Sequence, residues 1–61
     1  METMEGIELL AQAFVNGNRK DVLGTLERMK PLQAVYTALR IAEELNKTDR
    51  GILLRMLENR L

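Results

Sequence analysis

The chain has 61 residues, nine basic and nine acidic, for a formal net charge of zero; 46% of it is apolar, and it contains no His, Cys, Ser or Trp. That length allows a single domain with one small core, which neither a disulfide nor a His/Cys metal site can reinforce. Neutrality gives no long-range attraction to phosphate backbones or anionic lipid, and the missing residue types remove the usual general bases and nucleophiles, so the expectation is no enzyme, no cofactor and no metal.

Helix punctuation divides the chain into four short helices. Thr3 is suited to cap a first helix running through Asn16, and Gly17 falls where a left-handed residue closes it. Asn18 is the expected cap of a second helix reaching about Met29, with Asp21 near the positive end of its dipole. Pro31 fits the first turn of a third helix and keeps Lys30 out of helical geometry. The third helix extends to about Leu45 or Asn46; Thr48 or Asp49 is the expected cap of a fourth, which reaches the C-terminus. Glu43 and Lys47 have the spacing of an i,i+4 ion pair. These elements predict an all-α fold of two helical hairpins in one domain spanning 1–61.

Three of the four helices have wider apolar faces than one neighbour can cover. On the first, Met4, Ile7, Leu10, Ala11, Phe14 and Val15 form the stripe, with Leu9 and Ala13 outside it. The second has a narrow face of Val22, Leu23, Leu26 and Met29. The third has two adjacent apolar edges, Leu32, Val35, Leu39 and Ala42 beside Ala34, Ala38, Ile41 and Leu45, against a polar strip of Gln33, Thr37, Arg40 and Glu44. In the fourth, Leu54 and Leu61 widen the face of Ile52, Leu53, Met56 and Leu57.

The first and third helices, with their uncharged segments Leu9 to Asn18 and Pro31 to Leu39, are therefore expected to be central, packed inward on one side and self-associating on the other. Candidate interface residues for a homodimer or a protein partner are Leu10, Phe14, Val35, Tyr36, Ala38, Leu39, Ile41, Leu45, Leu54 and Leu61; Arg19, Lys20, Glu27 and Arg28 form a candidate outer charged surface. Tyr36 can anchor an interface by its ring while the hydroxyl stays hydrated. Gly24, in the middle of the second helix, either admits a partner backbone or is tolerated on a solvated face.

Ala13 and Gly17 have the spacing found in helix-turn-helix DNA-binding units, with Leu23 and Leu26 at plausible core positions. Gln12, Asn16 and Asn18 then stand where that unit needs apolar residues, and Arg19, Lys20, Asp21 and Glu27 leave the reading helix with little net positive charge, so nucleic acid is a disfavoured partner. The stretch Gln12 to Leu23 also looks like the helix–turn–helix portion of an ankyrin repeat. Without further copies or a Thr-Pro-Leu-His start, it reads as a shared hairpin solution.

The segment Phe14 to Val22, Phe-Val-Asn-Gly-Asn-Arg-Lys-Asp-Val, resembles the short helical accessory proteins of bacteriophages and prophages. That resemblance implies a role in host takeover, defence evasion or phage regulation through protein binding. From the residues, the expected function is a small non-enzymatic regulator or inhibitor acting through apolar helix faces, with a dimeric DNA-binding regulator or an assembly component as alternatives. With no export signal and no apolar run of about 20 residues, the expected location is the cytoplasm, without membrane contact.

Overall fold

In a computed structural model of the protein, residues 4–59 are described; they form four helices, α1 (Met4–Val15), α2 (Arg19–Glu27), α3 (Pro31–Glu44) and α4 (Lys47–Glu58), with no strand among them. The expected cap Thr3 and the interface candidate Leu61 lie outside the described residues, as does the Met4 side chain.

The first boundary follows its punctuation closely. Gly17 has φ +100°, the Asn18 N–H donates to the Ala13 carbonyl (2.9 Å), and the Gly17 N–H donates to the Phe14 carbonyl (3.2 Å). These two bonds make a Schellman closure, which satisfies the carbonyls that α1 leaves open. Asn18 precedes α2 as expected, but its side chain makes no capping bond: at φ −85° and ψ 48° the backbone departs from the extended geometry that aims an N-cap side chain at the first turn.

The other boundaries are set by proline and by a different asparagine. Helix α2 stops at Glu27, short of the expected Met29, because Pro31 holds Lys30 extended at φ −64° and ψ 148°. The cap of α4 is Asn46, whose Oδ1 accepts the Asp49 N–H at 2.8 Å, so Thr48 and Asp49 are first-turn residues and not caps. Leu45 and Asn46 are extended, which puts Glu43 and Lys47 on separate helices; Glu43 instead pairs with Arg40, Nε to Oε1 3.6 Å.

Ile7, Ala11 and Phe14 of α1 meet Val22, Leu23 and Leu26 of α2, Ala38, Ile41 and Ala42 of α3, the adjoining Leu45, and Leu53 of α4 in one apolar core. Helix α3 packs against each of the other three, most extensively against α1. Thr37, expected on the polar strip, is fully buried in α3, and its Oγ1 has no hydrogen-bond partner. Such a hydroxyl costs on the order of 1–3 kcal/mol. The shortest molecular extent, 17 Å between Cα atoms, leaves room for no more than two helix layers, since a helix with its side chains is about 10 Å across. Every helix therefore keeps one face at the surface. Among the described residues, no helix is long and apolar enough to cross a membrane.

The glycines give a stability test of opposite signs. A Cβ at Gly24 would meet nothing within 4 Å, whereas one at Gly17 would be forced into positive φ. Gly24→Ala is expected to raise stability by about 0.5–1 kcal/mol and Gly17→Ala to lower it by about 1 kcal/mol, both read by thermal melts. A destabilised Gly24→Ala would contradict the open surroundings of that position.

Candidate protein-binding surface

Helix α3 has two apolar faces because its apolar residues fall into two registers. At about 100° per residue, Ala38 and Ile41 turn toward the core, whereas Leu32, Val35, Tyr36 and Leu39 recur at i, i+3, i+4 and i+7 on the outward side; Ala42, expected on the Leu32/Val35/Leu39 edge, is buried instead. The outward set is open: Leu32 is 87% exposed, Val35 58%, Leu39 57% and Tyr36 43%. Leu54 of α4, 43% exposed, lies beside it. Val35, Leu39, Leu54, Leu57, Pro31 and Ala38 line a shallow groove of about 340 Å³ between α3 and α4. A second hollow of about 270 Å³ shares Pro31, Ala34, Leu26 and Leu57 with it and extends the groove toward the end of α2.

The interface candidates separate on this geometry. Val35, Tyr36, Leu39 and Leu54 are on the exposed surface, and Leu10 is half-buried against the core. Phe14, Ala38, Ile41 and Leu45 are core residues of this chain; Phe14 and Ile41 are at 0% exposure, so they have no area to offer a partner. Their placement follows from α1 packing on α3, which turns the Ala38/Ile41 edge inward and leaves the Leu32/Val35/Leu39 edge outward. Leu32, the most exposed large apolar residue described, was not among the interface candidates, although its spacing to Val35, Tyr36 and Leu39 marks it as part of the same stripe. Leu9 and Val15 of α1 are also exposed, at 66% and 49%.

The charged candidates also divide. Lys20, Glu27 and Arg28 are exposed, and Arg19 is half-buried, with 41% of its side chain still exposed. Its guanidinium carbon lies 5.5 Å from the Phe14 ring centroid, and Nη2 lies 3.9 Å from Asp49 Oδ1, so one side chain touches α1 and the start of α4. Its Nε is buried without a hydrogen-bond partner. Among the described residues, no three carboxylates converge as metal ligands. Thr25 Oγ1 donates to the Asp21 carbonyl at 3.0 Å, a local helix bond.

Comparison with known protein families, curated proteins and solved structures gives no match to this chain.

The two faces of α3 predict unequal responses to substitution. In urea titrations of dilute protein, Ile41→Ala is expected to cost about 2–5 kcal/mol and Leu39→Glu less than about 0.5 kcal/mol. Equal losses would mean that Leu39 is structurally buried.

Proposed function

We propose that this protein is a small non-enzymatic protein-binding regulator or inhibitor, whose contact surface is the outward face of α3 together with Leu54 of α4. The observation that carries this reading is the run of Leu32, Val35, Tyr36 and Leu39, each substantially exposed and spaced as a helix-packing stripe beside an apolar groove. A solvated helix face has no need of that pattern, and leaving it in water forgoes the main driving force available to so short a chain.

In this reading the chain is two helical hairpins, α1–α2 and α3–α4, with the binding face on the second and a working location in the cytoplasm. Tyr36 and Leu39 are the natural anchors: a half-exposed aromatic ring, and an aliphatic side chain that lines the groove. The likeness of Phe14 to Val22 to phage accessory proteins agrees with a regulator that works by contact, and it contributes no residue to this face. Overall neutrality weighs against the DNA-binding alternative.

A photocrosslinking amino acid placed at position 39 tests the reading in cells, with position 12, an exposed site on α1, as the control. The expected outcome is a discrete protein adduct from position 39 that position 12 does not form. Absence of any protein adduct from position 39 would contradict it.

A further inference from the structure

We draw no further inference here: the strongest candidate, the outward apolar face of α3 with the groove it shares with α4, carries none because nothing in the structure shows what covers it.

Discussion

The packing of α1 onto α3 is the contact on which the rest of the molecule depends. It takes Phe14 and Ile41 wholly out of water, and by fixing which side of α3 faces inward it also fixes which side does not. A chain of 61 residues buries only about 60% of the surface its unfolded form exposes. With a shortest extent of 17 Å there is no third layer to cover the far side of α3. The exposed Leu32, Val35, Tyr36 and Leu39 therefore follow from the same geometry that makes the core. Among the described residues, no further element covers them.

Much of this architecture was legible in the sequence where chemistry is local. The Asn16-Gly17-Asn18 turn and the Lys30-Pro31 break state their backbone requirements outright, since only certain residues accept positive φ and proline restricts its predecessor. The capping of α4 was less legible. Asn46, Thr48 and Asp49 can all serve as caps, and the choice of Asn46 depends on where α3 ends, which local propensity does not determine. The Glu43–Lys47 spacing misled for the same reason: i,i+4 pairing presumes one continuous helix, and Leu45 interrupts it.

The division of α3 into two apolar edges was readable from spacing, but which edge is core was not. Both edges are aliphatic and similar in bulk, so helical periodicity cannot rank them. That decision belongs to the tertiary contact with α1, which chose Ala38 and Ile41 over Val35 and Leu39 and also drew in Thr37. Ala42, which spacing places on the same edge as Val35, is nonetheless buried, so the edges do not divide as periodicity alone suggests. Arg19 was hidden in the same way. Its ion pair reaches Asp49, distant in sequence, and its cation–π contact crosses the turn to Phe14, whereas a charged residue at a helix start otherwise reads as solvated surface.

The central claim is that α3 has one face committed to the core and one available to a partner. Methyl NMR with a soluble paramagnetic quencher tests it directly, comparing Val35, Leu39 and Leu54 with Val22, Ile41 and Leu53 as the protein is diluted. The account predicts that the first three are strongly quenched in dilute solution, while the second three stay protected throughout. Protection of Val35 and Leu39 in the dilute monomer, or quenching of Ile41 to the same degree, would contradict it.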